Sequence, residues 1–221
     1  MGIRTEKMDQ LNAHLDRGWD LVSRGDTRGA LTSAQRALDL DPNSPEAYNL
    51  LGYISAAEGE SNDALDHYRQ AMALDEGYLD PLLNAAEVLV HPLARYDEAI
   101  RMCDEALDFA EDKEEIADAL LLKFDALLGK GDTTEAEKCI DAVPDGPYEK
   151  ANHHFLIGRG RLELGQLDRA EPELKRALQI DPTLGDAHYY LGLAAEDRGN
   201  REAALDSFLK VRELDSRAPR V

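Results

Sequence analysis

The sequence is short of aromatic residues, cysteine and lysine, and each shortage narrows what the chain can be. Aromatics make up 6% of residues although 43% are hydrophobic. A core so rich in Ala and Leu suits helices packed on helices better than a sheet, whose pleated faces favour aromatic and β-branched side chains. No run of eighteen apolar residues occurs, so no membrane-spanning helix is expected. The opening MGIRTEKMDQ has no apolar stretch of the kind a secretory leader needs, and Gly2 is followed by Glu6 where an acylation motif requires Ser or Thr. Cys103 and Cys139 share no metal-ligand spacing with any histidine, so they read as buried, reduced thiols of a cytoplasmic protein. Cations are the scarcest charged class: 25 Lys and Arg against 45 Asp and Glu leave a net charge of −20. That field repels nucleic acid and anionic lipid, and it attracts basic partners.

What the chain does contain is a period. Ala30, Ala64, Ala99, Ala136, Ala170 and Ala204 each open a similar stretch, at intervals of 34, 35, 37, 34 and 34 residues. A fixed period near 34 marks a tandem array of helical hairpins. Within the second period, Tyr48, Leu51, Gly52 and Ser55 fall at helical spacing before Gly59, and Ala64, Tyr68 and Ala71 fall on one face of a second helix. Gly25, Gly59, Gly131, Gly165 and Gly199 recur at the inner turn, where a helix C-terminus favours positive φ. Pro42 and Pro182 close the first and fifth periods, and proline is expected there rather than inside helices. Small residues recur where two helices must approach closely: Gly18, Gly52, Ala86, Gly158 and Gly192 in the first helices, and Ala37, Ala71, Ala106 and Ala177 in the second.

On these residues the chain resembles the tetratricopeptide repeat family, whose pattern is W-x2-L-G-x2-Y, then A-x3-F, A and P. The match reads Tyr48, Leu51, Gly52, Ala64, Tyr68 and Ala71 in one unit, and His188, Leu191, Gly192, Ala204 and Phe208 in another. The resemblance implies an all-α fold, a right-handed α-solenoid superhelix of about six repeats. The units fall at 11–44, 45–78, 79–113, 117–150, 151–184 and 185–218, forming one solenoid after a short extension, 1–10, and before a tail, 219–221. The pattern lapses in places. Lys123-Phe124 replaces Leu-Gly, VPDGP shortens the fourth unit, and the third unit has no central glycine. One extra residue lies in the turn His91–Asp97, and three lie around Ala110–Ile116.

Candidate chemistry is sparse. His153 and His154 are adjacent, and neighbours on a helix point about 100° apart, so they do not share a metal ion. His14, His154 and His188 take the place where the family carries Trp between helices. The stretch GRGRLELG misses the spacing of a phosphate-binding loop and lies within a helix. No G-x-S-x-G or H-E-x-x-H occurs, so neither catalysis, a metal nor a cofactor is expected.

In the family the first helices line a concave, peptide-binding surface. Mapped by the resemblance, that surface would carry Trp19, Asn49, Tyr53, Asn84 and Glu87 in the first half. In the second it would carry Asp118, Leu121, Asp125, Phe155, Arg159, Tyr189 and Tyr190. It reads as an apolar and aromatic floor with acidic walls, with Arg159 its one fixed cation. The implied function is a non-enzymatic adaptor holding a basic-amphipathic segment of another protein, with Asp80, Glu87, Asp118 and Asp125 meeting the segment's Lys or Arg. The carboxylate clamp of co-chaperone members is not expected, because its positions carry Leu15, Trp19, Leu50, Asp80 and Asn84. A second reading is self-association as a homodimer through the C-terminal helix and its Phe208, Val211 and Leu214. A third, pilus or secretion assembly, rests on the repeat alone.

Overall fold

The computed structural model describes residues 2–146, 148 and 150–217. Twelve α-helices occupy them, with no strand among the described residues. They form six consecutive hairpins: α1 (Gly2–Ser23) with α2 (Thr27–Leu40), α3 (Pro45–Ala57) with α4 (Ser61–Leu74), and α5 (Leu79–Val90) with α6 (Tyr96–Phe109). Then come α7 (Lys113–Lys130) with α8 (Thr133–Ala142), α9 (Ala151–Glu163) with α10 (Leu167–Ile180), and α11 (Gly185–Asp197) with α12 (Arg201–Arg217). This is the all-α architecture of a tandem-hairpin solenoid. Two compact units divide it, Met1–Glu111 and Asp112–Val221. Residues 219–221 of the expected tail lie outside the described residues. The expected N-terminal extension is helical from Gly2 and runs straight into α1.

The period is a packing device. All six alanines that mark it are buried, none more than 3% exposed. In the second, fifth and sixth hairpins they bring the second helix close enough for one large side chain to lie against a glycine of the first. A methyl group added at Gly52 would overlap the Tyr68 ring, and one added at Gly192 would overlap Phe208. At Gly158 it would sit 2.7 Å from Cγ of Leu174.

The fourth hairpin reverses the arrangement. Phe124 stands where the others have a small residue and is fully buried; Gly160, on the adjoining first helix α9, makes room for its ring, with Phe124 Cε1 2.9 Å from where a Cβ would lie. Gly158 and Gly160 of GRGRLELG thus serve contacts with Leu174 and Phe124.

The helix ends follow the sequence closely. Asp26, Ser44 and Asp132 accept hydrogen bonds from backbone N–H groups three residues on. Asp112 and Glu115 form a reciprocal capping box. The residues inserted near Ala110–Ile116 become extra turns, since α7 has 18 residues where α3, α9 and α11 have 13. Asp41, Asp75 and Asp181 bind backbone N–H groups two residues on, which turns the chain between hairpins. All five inner-turn glycines have positive φ.

In the third hairpin the turn is one residue longer. Arg95 N–H reaches back six residues to Leu89 C=O, whereas Asp26, Glu60 and Asp132 reach back five, to Leu21, Ser55 and Leu127. Ala94 there takes φ 52°, a left-handed conformation in a residue with a Cβ. Proline departs from expectation. Pro172 lies inside α10, where it cannot donate to the Asp168 carbonyl one turn back. Both cysteines are buried, and Cys139 Sγ donates to Leu120 C=O at 3.1 Å.

Two substitutions test this account by urea unfolding. Ala94→Gly relieves the left-handed turn and is expected to stabilise the protein by about 0.5–1 kcal/mol. Gly52→Ala is expected to destabilise it by about 1–3 kcal/mol through overlap with Tyr68, although alanine is the better helix former.

Candidate functional site

In the first unit, α1, α3 and α5 lie side by side. Trp19 of α1 and Tyr53 of α3 meet edge to face with ring centroids 5.3 Å apart. Tyr53 is 41% exposed, so the pair presents aromatic surface to solvent. Beside it, at the C-terminal ends of α3 and α5 and the start of α4, opens a cleft of ≈ 320 Å³. Tyr53, Tyr68, Asn84, Glu87, Val88 and His91 are among the residues that line it. Glu87 is exposed at its edge, and no Lys or Arg is among the lining residues. Burial, then the nearby Glu87 carboxylate, pushes the Tyr68 hydroxyl pKa well above its ordinary value, so it remains protonated.

Asn49 does not belong to an open floor. It is 1% exposed; its Oδ1 accepts from Asn84 Nδ2 at 3.0 Å, and its Nδ2 donates to Tyr78 Oη at 3.1 Å. It is a strut that ties α3 to α5, because a buried amide needs partners for both its oxygen and its NH2. Burial and the Asp80 carboxylate push Tyr78 up to about 12.

The second unit presents a different face. Leu121 and Phe155 are buried, at 3% and 8% exposure, beneath their neighbours. Tyr190 stands edge-on to Phe155 at 5.7 Å and to Tyr189 at 5.6 Å, and Tyr189 remains 45% exposed. Three of the acidic residues here, Asp118, Asp125 and Glu163, have partners on the same face. Arg159 of α9 pairs with Asp125 of α7 and lies 3.7 Å from Glu163. Asp118 meets His153 Nε2 at 2.8 Å. Asp118 and Asp125, expected to meet a partner's cations, thus already have partners within the chain, and Arg159, expected as the one fixed cation, is held by Asp125, because residues one repeat apart fall on adjacent first helices. Partial removal from water pushes the Glu163 carboxyl up; Arg159 offsets this and Asp125 adds to it.

The paired histidines point to different helices. His153 meets Asp118 on α7 and stacks on Tyr148 at 4.9 Å, whereas His154 meets Glu173 on α10 at 2.7 Å. His188 Nε2 lies 3.1 Å from Pro182 C=O, at the position where Tyr48 Oη donates to Pro42 C=O. His14 is half-buried. Phe208, Val211 and Leu214, the expected self-association surface, are half-buried, Phe208 lying against Gly192 and 5.8 Å from Tyr189.

Of the expected surface, the structure brings together Trp19, Tyr53, Asn84 and Glu87 around one cleft, and Asp125, Arg159 and Tyr190 in one charge cluster. Sequence reasoning placed Tyr68 in the core only and passed over His91. Its available signal was the extra residue in the turn after α5, which sets His91 and Pro92 at the cleft mouth.

A stack of short helical hairpins with a cleft on its first-helix face defines an α-helical repeat protein. The tetratricopeptide repeat profile matches residues 15–78, 121–184 and 155–219, and the chain belongs to that family. It is 29% identical over 140 residues to Hsp70-Hsp90 organizing protein 2 of Arabidopsis thaliana, a match covering 62% of this chain and 24% of that protein. It is 33% identical over 139 residues to human Superkiller complex protein 3, covering 59% of this chain and 9% of that protein. The chain thus spans a quarter or less of the length of these relatives. Among solved structures, that of Pseudomonas aeruginosa pilF superposes with a TM-score of 0.76 at 19% identity, over 96% of this chain and 95% of that one, a likeness of fold. Among the described residues no helix is long and apolar enough to cross a membrane.

Arg159→Met should leave Asp125 and Glu163 facing each other without a cation, at a cost of about 1–3 kcal/mol in chemical unfolding. Adding Asp125→Asn is expected to recover part of that loss, and the coupling in this double-mutant cycle measures the pair.

Proposed function

We propose that this tetratricopeptide repeat protein is a non-enzymatic interaction module, and that its first unit docks a basic-amphipathic segment of another protein. Proteins of this family mediate protein–protein interaction. The observation that carries the finer reading is the exposed Tyr53, held edge to face by half-buried Trp19, beside a cleft with Glu87 at its edge. Large aromatics held on rigid helices lose little freedom on binding, which is why such residues anchor interfaces. Asp16 and Glu46, on the first helices of the same unit, are also exposed. Together with Glu87 they favour a cationic partner, and the net charge of −20 steers it from a distance.

The cleft suits apolar side chains of the segment; Asn84 can give or take a backbone hydrogen bond at its wall. The second unit, with Asp118 and Asp125 already paired, contributes less to recognition of cations. Likeness to an Hsp70-Hsp90 organizing protein does not by itself bring that protein's ligand to this chain. Leu15 and Leu50, at two of the clamp positions, are buried apolar side chains and offer no charge to a carboxylate.

Fluorescence anisotropy with a panel of amphipathic peptides built from Lys and Leu tests the reading. Binding is expected to weaken as salt rises. Tyr53→Ala should lower affinity at least about tenfold, and Glu87→Lys should slow association and flatten the salt dependence. Asp125→Asn should change neither. Binding indifferent to Tyr53 and Glu87, or lost on Asp125→Asn alone, refutes the assignment to the first unit.

A further inference from the structure

We propose that the outer face of α12 pairs with the same face of a second copy of this chain, the two helices running antiparallel about a two-fold axis at Ser207. Leu205 and Leu209 lie one turn apart on α12 and are 59% and 40% exposed. The exposure of Leu209 breaks the repeat. In the other five hairpins the equivalent position carries Gln35, Arg69, Asp104, Asp141 and Lys175, all exposed and all polar or charged. Five hairpins keep that position wet, and the last makes it apolar.

The charges flanking the two leucines identify the occupant. Glu202 precedes Leu205 by three residues and Arg212 follows Leu209 by three, so all four share one helix face. When Leu205 faces the second copy's Leu209 in antiparallel register, Glu202 faces the second copy's Arg212. The same register sets Arg201 opposite the second copy's Glu213. Each contact occurs twice, as an isologous interface requires. A parallel pairing would instead set Glu202 against Glu202 and Arg212 against Arg212. The pattern is complementary to itself only when one helix is reversed. Glu213 already pairs with Lys210 at 2.9 Å, so the Glu202–Arg212 contact carries the orientation.

One helix pair is a small interface, so a weak, concentration-dependent dimer is expected. The face lies on α12, in the second unit, and shares no residue with the cleft of the first unit, so its test is independent of peptide docking.

Sedimentation equilibrium over a concentration series tests the proposal. The protein is expected to interconvert between monomer and dimer. Glu202→Lys and Arg212→Glu should each weaken the dimer by about tenfold or more, since each variant sets like charges together twice. Combining them in one chain reverses both partners and should restore the wild-type Kd within about threefold. Leu209→Glu should leave a monomer. Circular dichroism and melting temperature, unchanged in all variants, confirm that the fold is kept. A protein that stays monomeric throughout, or a dimer indifferent to the single charge reversals, or one that the double reversal fails to restore, overturns the proposal.

Discussion

The close contact between a large side chain of one helix and a glycine of its partner holds three of the six hairpins, the second, fifth and sixth, in register. Tyr68 lies over Gly52, Leu174 over Gly158 and Phe208 over Gly192. A helix pair that approaches this closely gains dispersion contacts along the whole seam, and any added methyl meets atoms already in place. Glycine within a helix costs up to about 1 kcal/mol against alanine, which the seam contacts offset. The buried alanines of the second helices complete the seam from the other side. The fourth hairpin shows that the requirement is for volume and not for a residue at a fixed place. Phe124 enlarges one side of a contact, and Gly160 on the next first helix yields the space.

Once first helices lie side by side, residues one repeat apart become neighbours, and this sets the chemistry of each face. In the first unit, repeat-spaced aromatics give Trp19 against Tyr53, and repeat-spaced amides give Asn49 against Asn84. In the second, the same spacing sets Asp125 against Arg159 and Asp118 against His153. One geometry thus leaves Glu87 exposed beside an aromatic pair in one unit, and engages Asp118 and Asp125 within the chain in the other. Partly buried ion pairs contribute modestly to stability, but each removes an acid from the set available to a ligand. The formal charge of −20 therefore overstates what the second unit's face can offer a cation.

Much of the fold was legible in the chain. The alanine period, the inner-turn glycines and the capping residues Asp26, Ser44 and Asp132 act within one hairpin, over a few residues, so local chemistry fixes them. Pro172 was not legible, because its place depends on how far α10 extends, and an array that packs α10 against two neighbours tolerates one missing backbone bond. Of the candidate site, exposure was the part least readable. Asn49, Leu121 and Phe155 have the spacing of first-helix surface residues, yet neighbouring helices cover them. A helical period gives direction around one axis and carries no information on what stands opposite.

The sequence by itself determined the hairpins, their number, their turns and the seam that closes each one, because every one of those features rests on contacts between residues near one another in the repeat. Only the tertiary structure decided which acids remain unpaired, which aromatics stay open to solvent, and that α12 turns Leu205 and Leu209 outward. Those outcomes depend on residues a full repeat away, and pairing or burial there is settled by distance in space, which a periodic pattern does not encode.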